Sequence, residues 1–144
     1  MANIEGYELP DELYYHSEHT WVKKEDDGNI RIGMNQFWAA TAGDVTYIDL
    51  PFENDEVESG DTCGKLQSAK WIAKLIAPIS GEILEVNEEL EDDSTIINTD
   101  PYGKGWIMLL KPLNLEEELA NLYHGDTVSD WLKGEIKKSE ELKK

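Results

Sequence analysis

Between residues 20 and 112 the chain never holds one hydrophobic pattern for long: short alternating apolar runs are cut, one after another, by glycine, proline, asparagine or aspartate. Runs of this kind are half-buried strands, and a long series of them predicts a compact antiparallel β core. The first pair lies in "HTWVKKEDDGNIRIGM", with Trp21 and Val22 before the turn, Ile30 and Ile32 after it, and Asp27-Gly28 supplying a positive-φ turn. "NQFWAATA" interrupts as one or two turns of helix, capped by Asn35 and ended by Gly43. β-type runs resume in "DVTYIDL", closed by Pro51, then in "DTCGKLQSA", "WIAKLIAP", "GEILEVN", "STIIN" and "GWIMLL".

From Asn114 the period changes. "NLEEELANLYHG" has Asn114 and Glu117 at capping-box spacing, acids in its first turn and Gly125 as a stop. In "DTVSDWLKGEIKK", Val128, Trp131, Leu132 and Ile136 share one helical face. The expected architecture is mainly β, with a short internal helix and C-terminal helices packed outside the core. One domain spans 1–144, its β core at about 14–112 and its helical segment at about 114–142. With 144 residues, such a chain buries a core without disulfide or metal.

A net charge of −18 turns away nucleic acid and anionic membrane. Residues 82 to 100 hold eight acids and no base, which points to partners with basic docking surfaces; a merely solvated face is the other reading. The N-terminal "MANIEGYELPDE" lacks the regions of a signal peptide, and no apolar run is long enough to span a bilayer, so a cytoplasmic protein is expected. Cys63, the single cysteine, can form no internal disulfide and reads as a small buried hydrophobe. His16 and His19 in "HSEH" lack further ligands, so no metal is expected. No nucleophile, base and orienting group occur together, which argues against an autonomous enzyme.

One residue stands out in "GKLQSAKWIAKLIAPISGEI". Lys70 falls where two alternating runs meet, at the tip of a predicted hairpin. Gly43-Asp44-Val45 with Ile48 is echoed by Gly81-Glu82-Ile83 with Val86, and Lys70 sits between the two units. A charged tip that discourages edge pairing is one explanation. A Schiff-base role needs a pocket that depresses the amine pKa, and a hairpin tip is a poor place for one.

At this point the residues carry a family likeness. "LQSAKWIAKLIAPISGEILEVNEEL" resembles the modification segment of the H proteins of the glycine cleavage system, whose usual pattern is Glu-Ser-Val-Lys followed by Ala-Pro-Val-Ser-Gly-Glu-Val. "HTW" at 19 to 21, "GDVTYIDLP" at 43 to 51 and "DPYGKGW" at 100 to 106 extend the likeness over nearly the whole chain. The resemblance implies a barrel-sandwich hybrid of the lipoyl/biotinyl-carrier type, with lipoate in amide linkage to Lys70 and Gln67, Ser68, Ala69 and Trp71 as attachment-motif neighbours. It implies a cofactor-carrying substrate protein rather than a catalyst. Its partners would be a lipoate ligase or lipoyl transferase, glycine decarboxylase, aminomethyltransferase and dihydrolipoyl dehydrogenase.

The departures from the pattern carry their own expectations. The usual glutamate three residues before the lysine is Gln67, and the usually small residue after it is Trp71. The family's His-Glu-Trp is His19-Thr20-Trp21, and an aspartate four residues after the lysine is Lys74. With His19, Thr20 and Lys74 lining the cleft where the arm rests, that cleft would be neutral to positive and would disfavour a cationic aminomethyl cargo. A branch of the family serves bacterial sulfur oxidation beside a heterodisulfide-reductase-like complex, and a neutral or anionic sulfur adduct fits such a cleft better. The favoured expectation is therefore a sulfur-oxidation lipoate-binding protein. An ordinary H protein and an unmodified scaffold are the alternatives. Trp38 and Trp71 are core or docking aromatics.

Overall fold

In the computed structural model, which describes residues 2–70 and 72–142, the strands and helices follow the turn residues closely. An N-terminal hairpin, β1 (Ala2–Ile4) and β2 (Tyr7–Leu9), precedes β3 (Tyr14–Tyr15), β4 (Thr20–Lys24), β5 (Ile30–Met34) and helix α1 (Gln36–Ala42). Strands β6 (Val45–Asp49), β7 (Glu56–Val57), β8 (Thr62–Ser68), β9 (Ile72–Ile76) and β10 (Gly81–Val86) lead to two single-turn helices, α2 (Glu89–Asp92) and α3 (Ile96–Thr99). Strand β11 (Met108–Pro112) and helices α4 (Leu115–Leu119) and α5 (Asp126–Leu142) complete the chain.

All pairings are antiparallel. Six strands form one sheet in the order β3-β4-β5-β11-β10-β7, and three form a second in the order β6-β8-β9. The two close on one core: Val22, Ile32, Ile83 and Leu110 from the large sheet meet Val45, Ile48, Leu66 and Leu75 from the small one. Strands β6 and β10, which carry the sequence echo, lie in different sheets.

A second apolar cluster explains why β4 is buried on both faces. Thr20 and Val22 point to the main core, whereas Trp21 turns outward beneath Leu9, Phe37, Val128 and Leu132. The N-terminal hairpin and α5 thus cover the outer face of β3 and β4. Apolar positions 128, 131, 132 and 136 do face inward, with Leu132 wholly buried.

Two local expectations hold in atomic detail. Asn35 accepts the Trp38 N–H at 2.8 Å, and Gly43 ends α1 at φ 78°, where a Cβ would be strained. Three others fail. "STIIN" is not a strand: residues 96–99 form α3, because Ile97 is buried in the core and Asn98 is committed to three backbone groups. The capping box at Asn114 does not form; Asn114 makes no side-chain cap, and its neighbour Glu118 instead receives the Ser80 N–H at 2.8 Å and hydroxyl at 2.6 Å. Gly125, at φ 61°, leads into α5 rather than stopping α4, which ends at Leu119.

Candidate functional site: the hairpin tip and its groove

The β8–β9 ladder extends as far as Gln67 opposite Ile72. Ala69 and Lys70 form the exposed bend, and the Lys70 N–H donates to the Ser68 hydroxyl at 3.3 Å. Ser68 still faces Val45 of β6, and the Gln67 carbonyl accepts the Thr46 hydroxyl at 3.3 Å, so the tip stands on a three-strand base. Among the described residues no ion pair engages the Lys70 ammonium. Trp71 lies outside the described residues.

Beside the tip runs an open groove of about 620 Å³. One wall is the free edge of β9, with Ala73, Lys74 and Ile76; the other is the β3–β4 loop, with His16, Glu18 and His19, over the Trp38 ring. Lys74 is four residues from Lys70, about 13 Å at the rise of a strand. Trp38 is 7 % exposed, so it belongs to the core and gives the groove an apolar floor.

The three residues expected at the cleft do not meet there. His19 and Lys74 line it, but Thr20 is wholly buried on the core side of β4, and among the described residues its hydroxyl has no hydrogen-bond partner. A carboxylate nonetheless faces the groove, from Glu18. The groove therefore holds one carboxylate beside one ammonium, a lining at the neutral end of the neutral-to-positive range expected, but with a partner for a cationic cargo that the expectation from Thr20 and Lys74 lacked.

His19 is held by its surroundings. It sits at φ 76°, its N–H donates to the His16 carbonyl at 2.9 Å, and its own carbonyl accepts the Asn35 N–H at 2.9 Å. The Asn35 amide oxygen is occupied by the cap of α1, which leaves its NH₂ to donate to His19 Nδ1 at 3.2 Å. His19 Nε2 then donates to Glu135 on α5 at 3.2 Å. That hydrogen bond is the main reason the Glu135 carboxyl is held below the usual range; burial opposes it, and Lys138 at 3.2 Å assists. Glu135 escaped sequence reasoning, although it lies one turn from Trp131 and Leu132 on the buried face of α5. The neighbouring His16 is pushed down chiefly by burial, which opposes a charged imidazole in the groove wall.

These features suit a long, flexible acyl arm in amide linkage to Lys70. Lys70 is exposed and has no ion pair among the described residues, and a groove with an apolar floor and one group of each charge lies within a strand's length of it. Cys63 does not contribute. Burial pushes its thiol up to about 12, and its sulfur lies 3.5 Å from the Leu75 carbonyl. No cluster of metal-ligating side chains occurs among the described residues.

Residues 13–135 match the family described as "Glycine cleavage H-protein". The chain is 38% identical over 133 residues to the probable glycine cleavage system H protein of Thermococcus kodakarensis, covering 92% of this chain and 98% of that one. It is 43% identical over 104 residues to the glycine cleavage system H protein of Halalkalibacterium halodurans, covering 72% and 80%. The crystal structure of a glycine cleavage system H protein from Mycobacterium marinum superposes with a TM-score of 0.68 at 33% identity, covering 78% of this chain and 98% of that chain.

Proposed function

Since the chain belongs to the glycine cleavage H-protein family, a family of barrel-sandwich proteins that carry lipoate on a lysine and serve as substrates rather than catalysts, we propose that Lys70 is its lipoyl attachment site. We further propose that the chain carries the aminomethyl group in glycine decarboxylation. The observation that supports this most directly is Lys70 itself, exposed and, among the described residues, without an ion pair, on a bend in the family's modification segment. Amide formation there removes the charge of an amine that no neighbour needs. The lipoyl dithiolane, when attached, would supply a strained disulfide whose S–S bond opens so that one sulfur holds the transferred group and the other becomes a thiol.

The protein's own residues do the rest. The paired strands hold the tip at a fixed place, and tethering raises the effective concentration of the cargo at each partner. Glu18 gives an ammonium-bearing cargo a carboxylate in the groove, while Trp38, Ala73 and Ile76 offer apolar surface to the arm. Lys74 favours an anionic cargo instead, and it is the specific support for the sulfur-carrying reading; Thr20, the other support, is turned into the core. The expected partners are a lipoate ligase or lipoyl transferase, glycine decarboxylase, aminomethyltransferase and dihydrolipoyl dehydrogenase. Within the described residues no helix is long and apolar enough to cross a membrane.

Release of CO₂ from glycine by the decarboxylase of the same host tests the reading. The lipoylated chain should support turnover, and Lys70→Arg should abolish it. A lipoylated chain that supports no turnover with glycine, but takes up and hands on a sulfane group, would replace this reading with the sulfur-carrying one.

A further inference from the structure

Phe52 is 75 % exposed, more than Ile72, Leu113 or Tyr47, the other large apolar side chains on the surface of the described residues. It does not hang on a loose loop. Its carbonyl accepts the Asp55 N–H at 3.3 Å, the Asn54 N–H donates to the Ile83 carbonyl at 2.7 Å, and the Ile83 N–H donates to the Asp55 carbonyl at 2.9 Å. Asn54 takes the left-handed conformation, at φ 73°, that closes this turn against β10. The ring is thus presented from a fixed backbone with no role in the core.

Shallow hollows of about 350 and 390 Å³ flank it, the first shared with Tyr47 and Leu90, the second with Val57 and Cys63. Asp49 and Glu91 line the first and Asp55, Glu56 and Asp61 the second, and neither lining includes a lysine or arginine. Tyr47, 52 % exposed, stands opposite Gln67, which in turn stands opposite Ile72, 65 % exposed. Side chains opposite one another in a ladder share a face. Tyr47 and Ile72 therefore stand on the outer face of the small sheet beside the Lys70 tip, with Gln67 between them, and Phe52 stands beyond the far end of β6.

We propose that this face docks an enzyme that works on the Lys70 arm, and that the enzyme presents an apolar socket for Phe52 rimmed by lysine and arginine. The proposal rests on the carrier reading and adds the partner's recognition chemistry. Lys65, opposite Asp49, and Lys74 lie on the same sheet face nearer the tip, but the hollows on either side of Phe52 are lined by acids alone. A rigid aromatic between them has the form of an interface anchor: the ring fills the socket, and the carboxylates steer approach. A second copy of the same face would set acids against acids, and an anionic bilayer would be repelled in the same way. Phe52 lies seven residues along the chain from Val45, the strand end nearest the tip, at most about 23 Å at strand rise. An enzyme held there leaves the arm free to enter its active site.

The test is binding of the full-length chain to the purified decarboxylase, aminomethyltransferase and dihydrolipoyl dehydrogenase of the same host, by biolayer interferometry at several salt concentrations. For at least one enzyme, Phe52→Ala should weaken binding by about 30-fold and Phe52→Trp by less than about 3-fold. The pair Asp49→Asn with Asp55→Asn should flatten the salt dependence of association. Binding of Phe52→Ala within about twofold of wild type for all three enzymes, or no binding of wild type to any, overturns the proposal. So does a concentration-dependent dimer that Phe52→Ala abolishes, which would assign the face to a second copy. The carrier reading fails separately, by absence of the lipoyl mass from the same preparation.

Discussion

Gly33→Ala should destabilise the protein, against the ordinary trend for a glycine in a strand. In a strand interior, alanine is usually the better residue by about 0.5–1 kcal/mol. Here Gly33 lies opposite Trp21, and a Cβ would fall 2.7 Å from Trp21 Cζ2, 2.8 Å from Cε2 and 2.9 Å from Nε1. Trp21 is wholly buried under α5 and the N-terminal hairpin, and its indole N–H donates to the Pro101 carbonyl at 3.1 Å. The ring cannot yield without losing that bond and disturbing the second cluster. Overpacking costs about 1–3 kcal/mol and the strained hydrogen bond about 1 kcal/mol; less the usual gain from alanine, the net loss should be about 1.5–3.5 kcal/mol. For a chain of this size that is a fall in Tm of about 5–15 °C. Urea unfolding of wild type, Gly33→Ala, Trp21→Phe and the double variant checks the cause, because Trp21→Phe removes the atoms in the way. The cost of the alanine should shrink to near zero in the phenylalanine background. A Gly33→Ala protein as stable as wild type, or an equal cost in both backgrounds, would refute the steric argument.

Other outcomes follow from single side chains. Asn98 accepts the Val45 N–H and donates to the Ala39 and Gly43 carbonyls, so Asn98→Ala should cost about 2–4 kcal/mol in urea unfolding by leaving three backbone groups without their partner. Thr20→Val should raise stability by about 1 kcal/mol, because a wholly buried hydroxyl without a hydrogen-bond partner gives way to a methyl. Glu135 has its folded pKa depressed, so the stability it contributes is present above the unfolded carboxylate value of about 4.3 and is lost as pH falls through the folded value. Wild type should therefore exceed Glu135→Gln in urea midpoint at pH 7, and the difference should close below about pH 4.

The parts of the fold that were legible are those where a local rule and the tertiary structure agree. The Trp21 to Ile32 hairpin combines alternation with Asp27-Gly28, and α1 combines a capping asparagine with a terminal glycine. The misreadings arise where a distant partner outbids the local signal. The β-branched run at Thr95 to Ile97 favours a strand by propensity, but Asn98 has more to bind as part of a helical turn. Glu118 is drawn to Ser80, across the gap to the small sheet's connection, and takes α4 away from its expected cap. The β1–β2 hairpin went unnoticed because its strands are three residues long, although Glu5-Gly6 was a visible turn. At the site, the position of Lys70 on a bend followed from alternation on both sides. Thr20 was placed in the groove by motif position alone; its parity with Val22, two residues on, would have set it in the core.

The claim on which the rest depends is that Lys70 alone carries a covalent lipoyl group. Intact mass of the full-length protein purified from its own host, followed by peptide mapping, tests it directly. The expected result is a single lipoyl increment located on Lys70, absent from Lys70→Arg and unchanged in Lys74→Arg. An unmodified wild-type chain, or an increment that survives Lys70→Arg, would contradict it.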